Sequence, residues 1–229
     1  MGQRADMTDA DMKELWKRTD CVCFDVDSTV CTDEAIDELA TFVNVGDEVA
    51  HLTNDAMIGS MTYNESLRKR LDIISPTRQQ ITDFIQHHPP SLTPGIKELT
   101  DALKKKGVPV YLITGGFQSI VESVAKLLDI PKENIFANKI KFFYNGDYAG
   151  FDETCPTCES GGKPRVMTLL KERHGYKCVI HIGDGVTDME ACPPAEGFIG
   201  FGGNQVREKV KTGSAWFVTD FQELISELS

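Results

Sequence analysis

The segment Cys-Val-Cys-Phe-Asp-Val-Asp-Ser-Thr-Val at residues 21–30 joins an unbroken apolar run to two aspartates. An apolar run of this kind is typical of a strand that is buried on both faces, as in a parallel sheet. Further runs with the same pattern lie at residues 108–113, 178–182, 198–201 and 215–218. Helical patterns separate most of these runs, and the alternation predicts an α/β fold with a doubly wound, mainly parallel sheet.

Two stretches interrupt this alternation. Residues 34–88 contain no convincing strand and predict helices at 34–43, 47–57, 64–74 and 77–87. We therefore expect an α/β catalytic core at residues 1–32 and 90–229, with a small helical cap inserted at 33–89. The second stretch is 139–151, where Asn145-Gly146 separates two short runs and predicts a β-hairpin with a type I′ turn.

Composition and charge exclude several classes of protein. The chain has 229 residues and a formal net charge of −11, with no basic stretch that could neutralise a nucleic-acid backbone. We find neither a signal peptide nor an apolar run of membrane-spanning length, so we expect a cytoplasmic protein without a membrane partner. The 7 cysteines are an odd number and are scattered, which favours a reducing compartment over a disulfide framework.

Polar clusters follow three of the predicted strands. Asp25 and Asp27 follow the first, Thr114-Gly115-Gly116 follows the second, and the third is followed by a segment that contains Asp184 and Asp188. Ligands of open α/β sheets bind at the carboxyl ends of the strands, so these clusters can converge. Converging carboxylates repel one another unless a hard cation lies among them, and Mg²⁺ suits a phosphate substrate. Taken alone, either aspartate pair is as readily explained by turn formation or helix capping.

Taken together with Lys163, the clusters resemble the four ordered motifs of the haloacid dehalogenase superfamily. The first motif matches Asp25 to Val30, the second Thr114, the third Lys163, and the fourth Gly183-Asp184-Gly185 with Asp188. The resemblance implies a Rossmann-type core with a cap. The resemblance extends over nearly the whole chain, through stretches at 24–30, 92–96, 136–138, 148–154 and 182–185. These stretches resemble the members of the superfamily that hydrolyse O-phospho-L-serine in serine biosynthesis.

The resemblance also implies catalytic roles. Asp25 is expected to be the nucleophile that forms an aspartyl phosphate, and Asp27 the general acid and then base. Lys163 would add positive charge beside the phosphate. One Mg²⁺ per chain would be held by Asp25, the backbone carbonyl of Asp27 and Asp184, while Asp188 would support the site by orienting Lys163 or metal-bound water.

Substrate recognition is likewise inferred from the resemblance. Glu34 is expected to bind the ammonium group of the substrate, and Arg70 its carboxylate. Without the resemblance, both would be read as solvated residues on helix faces. The full set of expected substrate-binding residues is Ser28, Glu34, Met57, Ile58, Arg70, Thr114, Gly115, Gly116, Lys163 and Thr187.

The chain departs from the family pattern at several positions. Thr114 stands where relatives carry serine, Ile58 replaces a glycine, and the Cys155 and Cys158 pair is not expected. For this pair, redox control and neutral surface substitution stay open. The functional alternatives are a phosphatase for another small phosphomonoester, phosphotransfer to a second alcohol, and a catalytically silent module that binds a phosphorylated metabolite. A homodimer is also left open.

Overall fold

The structure, a computed structural model, describes residues 7–57 and 61–228, without the side chains of residues 51 and 53–57. Its strands are β1 Cys21–Phe24, β2 Val110–Phe117, β3 Ile135–Asn138, β4 Ile140–Phe142, β5 Tyr148–Phe151, β6 Val179–Gly183, β7 Gly197–Phe201 and β8 Trp216–Val218. Its helices are α1 Asp9–Lys17, α2 Ala35–Phe42, α3 Gly46–Met57, α4 Tyr63–Ile74, α5 Arg78–His87, α6 Ile96–Lys105, α7 Gln118–Leu127, α8 Gly162–His174, α9 Val186–Met189, α10 Glu208–Gly213 and α11 Phe221–Glu227. Across the described part of the chain, no helix combines the length and the apolarity that crossing a membrane requires.

The main sheet confirms the predicted fold class. It has six strands in the order β3-β2-β1-β6-β7-β8, and each neighbouring pair is parallel. From β1 the successive strands β2 and β3 extend to one edge of the sheet, and from β6 the successive strands β7 and β8 extend to the other edge. The direction in which strands are added therefore reverses between β1 and β6. In doubly wound sheets, the crevice at such a reversal is where ligands bind.

Side chains alternate between the two faces of the sheet, and each face carries its own apolar layer. In β1, Val22 and Phe24 pack in one cluster with helices α1, α6, α7 and α11, whereas Cys21 and Cys23 pack in another with α8 and α10. Because successive residues of a strand point to opposite faces, an entirely apolar strand is buried on both sides. This explains why the longest apolar runs of the sequence are strands of this sheet.

Helices α2 to α5 lie between β1 and β2 in the chain and form a third apolar cluster. Leu39, Leu67, Leu71 and Phe84 belong to this cluster, which also includes Phe117 at the end of β2. The four predicted helices of this segment are present, each with bounds close to the expected ones. The division into a core and a cap at residues 33–89 remains a prediction.

The second strand, β2, differs from its prediction, and the third strand, β3, was not predicted. β2 continues through Thr114, Gly115 and Gly116 to Phe117, with an irregular register against β3. Two consecutive glycines resemble a loop in the sequence, but here the backbone stays extended through them. β3 is short and ends in Asn138, so it gave no apolar run long enough to predict.

The predicted hairpin is present, but the prediction of its turn type was wrong. A type I′ turn needs positive φ at both central residues, and of Asn145 and Gly146 only the glycine has it, at 93°. The Gly146 amide donates to the Phe143 carbonyl at 2.9 Å, and the Phe143 amide donates to the Asp147 carbonyl at 2.9 Å. The loop is therefore a type I turn closed by a left-handed glycine.

Candidate active site

Asp25 occupies the carboxyl end of β1, where the winding of the sheet reverses. Its amide donates to the Ile182 carbonyl of β6 at 2.9 Å, which fixes the residue between the two strands. One carboxylate oxygen accepts the Val26 amide at 2.8 Å, and the other lies 2.8 Å from Lys163 Nζ. Burial and the nearby Asp188 carboxylate raise the pKa of Asp25, although Lys163 opposes them.

A wide turn carries the chain from Asp25 to Asp27. It is closed by the Cys31 amide, which donates to the Val26 carbonyl at 2.8 Å. The Asp27 carboxylate accepts the Ala35 amide at 2.9 Å and the Thr114 hydroxyl at 3.1 Å. Burial, and next the Glu34 carboxylate, raise the pKa of Asp27 to about 6. Asp27 can therefore hold or release a proton close to neutral pH, as a general acid must.

Lys163 enters the site from the first turn of α8. Gly161 precedes this helix with φ 74°, a conformation that glycine adopts without strain. Lys163 Nζ lies 2.8 Å from Asp25 and 2.5 Å from Asp188. Burial acts to lower the pKa of Lys163, but the two carboxylates outweigh it and raise the pKa, so the side chain is charged.

Asp188 is fully buried and accepts three hydrogen bonds. Besides Lys163, the His181 Nε2 atom lies 2.7 Å from its Oδ1, and the Gly185 amide donates to its Oδ2 at 3.0 Å. Burial acts to raise the pKa of Asp188, but Lys163 and His181 hold it below its usual range. His181 Nδ1 in turn lies 3.0 Å from the Cys23 carbonyl. Sequence reasoning did not identify His181 as part of this network.

The carboxylates of Asp25, Asp184 and Asp188 could hold a metal ion. One oxygen of each lies within 4.8 Å of the others. Asp184 accepts Thr29 Oγ1 at 3.2 Å and Arg207 Nε at 2.9 Å. Since the Asp188 oxygens already accept three donors, Asp25 and Asp184 are better suited to a hard cation. The Asp27 side chain is not among these three carboxylates, and the role of its backbone carbonyl as the expected third ligand remains a prediction.

The site opens into a cavity of about 440 Å³. The predicted residues that line it are Asp25, Asp27, Glu34, Arg70, Gly115, Gly116, Lys163, Asp184 and Thr187. Lining residues that the sequence did not single out include Ile36, Tyr63, Leu67 and Arg207. Acidic and basic side chains from the strand ends, from the helical segment and from later parts of the chain thus line one cavity.

Four predicted substrate-binding residues are not seen in the cavity wall. Ser28 is buried and donates to Glu34 at 2.8 Å. Thr114 is also buried, and its hydroxyl is engaged by Asp27 and by the Gly116 amide, at 3.1 and 2.9 Å. Ile58 and the Met57 side chain lie outside the described residues. Substrate contact by any of the four remains a prediction.

A buried pair of polar residues links β2 to the turn before Lys163. Asn138 Nδ2 donates to the Gly115 carbonyl at 2.8 Å, and Thr157 Oγ1 donates to Asn138 Oδ1 at 2.8 Å. Both side chains are buried, so these bonds hold the two walls of the cavity at a fixed spacing. Cys155 and Cys158 flank Thr157, and burial raises the pKa of both thiols, which disfavours a reactive thiolate.

Arg70 and Glu34 occupy the part of the cavity formed by the helical segment. Arg70 Nε is buried and has no hydrogen-bond partner among the described residues. Glu34 precedes the first turn of α2 and lies 3.7 Å from Arg207. Because Arg70 lines the cavity, its guanidinium is suited to bind an anionic group of a ligand, such as a carboxylate.

Comparisons with known proteins agree with this chemistry. A family model described as haloacid dehalogenase-like hydrolase matches residues 19–195. The phosphoserine phosphatases of Homo sapiens and Bos taurus are 54% and 53% identical to the chain, over 96% of this chain and 97% of each relative. The crystal structure of a phosphoserine phosphohydrolase-like protein from Francisella tularensis subsp. tularensis SCHU S4 is 32% identical. It covers 91% of this chain and 99% of that protein, with a TM-score of 0.78.

Proposed function

The chain belongs to the haloacid dehalogenase-like hydrolases, and among them to the phosphoserine phosphatases. From this premise we propose that it hydrolyses O-phospho-L-serine to L-serine and phosphate, as the last step of serine biosynthesis. The observation that carries the proposal is the meeting of Asp25, Asp27 and Lys163 in one cavity that also contains Arg70 and Glu34. One end of this cavity suits a phosphoryl group, and the other suits an amino acid.

The residues present fit one Mg²⁺ per chain. Asp25, Asp184 and the backbone carbonyl of Asp27 would hold it, since oxygen ligands are what this cation prefers. When bound, the ion neutralises charge on the phosphoryl oxygens and favours the ionised form of Asp25.

Covalent transfer to Asp25 is the first step. A carboxylate oxygen of Asp25 attacks phosphorus, the bond between phosphorus and the serine oxygen breaks, and Asp27 gives its proton to that oxygen. The products of this step are L-serine and a phospho-aspartyl intermediate. The pKa of Asp27, raised to about 6, matches this role because the proton is neither firmly held nor absent near neutral pH.

Hydrolysis of the intermediate is the second step. The ionised Asp27 takes a proton from water, the water oxygen attacks phosphorus, and the acyl phosphate bond to Asp25 breaks. Phosphate leaves, and both aspartates return to their starting forms. Lys163 supplies a fixed positive charge beside Asp25 in both steps, held 2.8 Å from it by the buried Asp188.

The helical segment, residues 33–89, acts as a cap over the crevice and selects the substrate. Arg70 pairs with the substrate carboxylate, and Glu34 with its ammonium group. Both residues lie on this segment, whereas Asp25 and Asp27 directly follow β1 and Lys163 lies on α8. The enzyme therefore separates recognition of the amino acid from the chemistry at phosphorus.

Phosphate release from matched esters tests the proposal. With Mg²⁺ present, kcat/KM should be highest for O-phosphoserine and far lower for sugar phosphates. O-Phosphoethanolamine lacks only the carboxylate, so Arg70→Leu should lower kcat/KM for O-phosphoserine at least tenfold and leave the ethanolamine ester nearly unaffected. Equal rates on O-phosphoserine and sugar phosphates would rule out the assigned substrate, and binding without turnover would point to the silent module.

A further inference from the structure

One face of α4 is directed into the cavity. Tyr63, Leu67 and Arg70 follow one another at intervals of four and three residues, and all three line the cavity. This spacing places them in one stripe along the helix. Arg70 has been assigned to the carboxylate of the substrate, and Leu67, between Tyr63 and Arg70, is a buried apolar residue. Tyr63 has no role in the mechanism described above.

The Tyr63 hydroxyl lies directly against Gly115, near the carboxyl end of β2. A Cβ atom added to Gly115 would overlap Tyr63 Oη and would lie 3.1 Å from its Cζ. Only a glycine allows this approach. Seven residues of helix span roughly 10 Å. The distance between Tyr63 and Arg70 along α4 is therefore comparable to the length of a small phosphate ester. Tyr63 therefore lies at the phosphoryl end of the cavity.

Among the described residues, the Tyr63 hydroxyl has no hydrogen-bond acceptor. Burial raises the pKa of Tyr63 to about 12, so the phenol keeps its proton at neutral pH. The charges that act on it most are Arg70 and Lys163, followed by Asp27 and Asp25, all of which line the same cavity. No described residue forms a hydrogen bond with Tyr63 Oη. A protonated hydroxyl in this position is available to an acceptor that arrives with the ligand.

We propose that Tyr63 Oη donates a hydrogen bond to a phosphoryl oxygen of the bound substrate. The assignment rests on the proposed function and adds a direct contact from the helical segment to the phosphate. A single helix then contacts both ends of the ester, with Tyr63 on the phosphate and Arg70 on the carboxylate. This arrangement favours binding of a substrate whose two anionic groups are separated by the length of the serine skeleton.

Substitution of Tyr63 by phenylalanine removes the hydroxyl and keeps the ring. Isothermal titration calorimetry on the Mg²⁺-loaded Tyr63→Phe protein should show about tenfold weaker binding of inorganic phosphate than wild type, because a hydrogen bond to a charged acceptor is lost. The KM for O-phosphoserine should rise as well, while binding of L-serine should stay within twofold. Tyr148→Phe is the matched control, since the Tyr148 hydroxyl is buried and has no hydrogen-bond partner in the described part of the chain, but lies outside the cavity wall.

Phosphate affinity within twofold of wild type in Tyr63→Phe would overturn the assignment. A loss of L-serine affinity alone would do so too, because it would place the hydroxyl at the amino-acid end. The calorimetric measurement does not depend on turnover. If the wild-type protein failed to hydrolyse O-phosphoserine, the proposed function would fall, while phosphate binding by the two proteins would still decide the role of Tyr63.

Discussion

Substitution of Asp27 by asparagine should make the metal-free protein more stable at neutral pH while nearly abolishing its activity. In the folded state, burial and next the Glu34 carboxylate raise the pKa of Asp27 from 3.8 to about 6, although the Ala35 amide, the Thr114 hydroxyl and Lys163 oppose this rise. Asparagine can still accept the Ala35 amide and face the Thr114 hydroxyl. The variant therefore keeps the packing of the site but cannot carry the charge.

The size and sign of the effect follow from linkage. Because the pKa of Asp27 is higher in the folded state, its contribution to stability is fully present below pH 3.8 and is lost as the pH rises through about 6. A shift of about 2 pKa units corresponds to roughly 3 kcal/mol in the free energy of unfolding at pH 7.5, and to less than about 1 kcal/mol at pH 4. At about 2–4 °C per kcal/mol, Asp27→Asn should raise Tm by roughly 6–12 °C at pH 7.5.

Thermal unfolding in EDTA at several pH values measures this difference, and EDTA keeps a cation from stabilising the ionised form. Asp11→Asn is a control of opposite sign, because hydrogen bonds from Thr8 lower the pKa of Asp11 and asparagine should lower Tm at pH 7.5. An Asp27→Asn protein no more stable than wild type at pH 7.5, or equally stabilised at pH 4, would refute the reasoning. With Mg²⁺ restored, kcat should fall by about 10²–10⁴.

Three further perturbations probe the same network. Asp25→Asn should abolish turnover, since it removes the nucleophile, yet still bind O-phosphoserine in calorimetry; substantial activity would exclude a covalent intermediate. His181→Leu should lower the free energy of unfolding in urea by roughly 1–3 kcal/mol, because the buried Asp188 loses one of its three donors and keeps Lys163 and the Gly185 amide, and an unchanged free energy of unfolding would contradict that. Inorganic phosphate should tighten Mg²⁺ binding by the same factor by which Mg²⁺ tightens phosphate binding, and independent binding would exclude a shared site.

The parts of the fold that could be predicted from sequence are those where burial leaves a continuous pattern. The runs that became β1 and β6 are apolar on every residue or nearly so, because helices cover both faces of the sheet. β3 escaped prediction because four residues ending in Asn138 show no such pattern. The end of β2 was misplaced because Gly115 and Gly116 carry no side chain whose polarity could indicate burial.

The candidate site divides in a similar way. Asp25, Asp27 and Asp184 were identified because each follows a strand, and the ends of parallel strands meet at one edge. Arg207 could not be found in this way, since its contact with Asp184 depends on where a loop after β7 folds back. His181 did carry a signal, a titratable residue inside a buried apolar strand, three positions before Asp184.

Charge explains how a protein of net charge −11 can bind an anionic ester. The carboxylates that line or back the cavity are Asp25, Asp27, Glu34, Glu159, Asp184 and Asp188, and the corresponding cations are Lys163, Arg70 and Arg207. Six acidic groups thus outnumber three basic ones, and a divalent cation would offset part of the excess negative charge. We therefore expect phosphate binding to depend on the metal, and we propose that the same carboxylates supply the nucleophile and the acid. A site made only of cations would bind phosphate more simply, but it would have no group able to attack phosphorus.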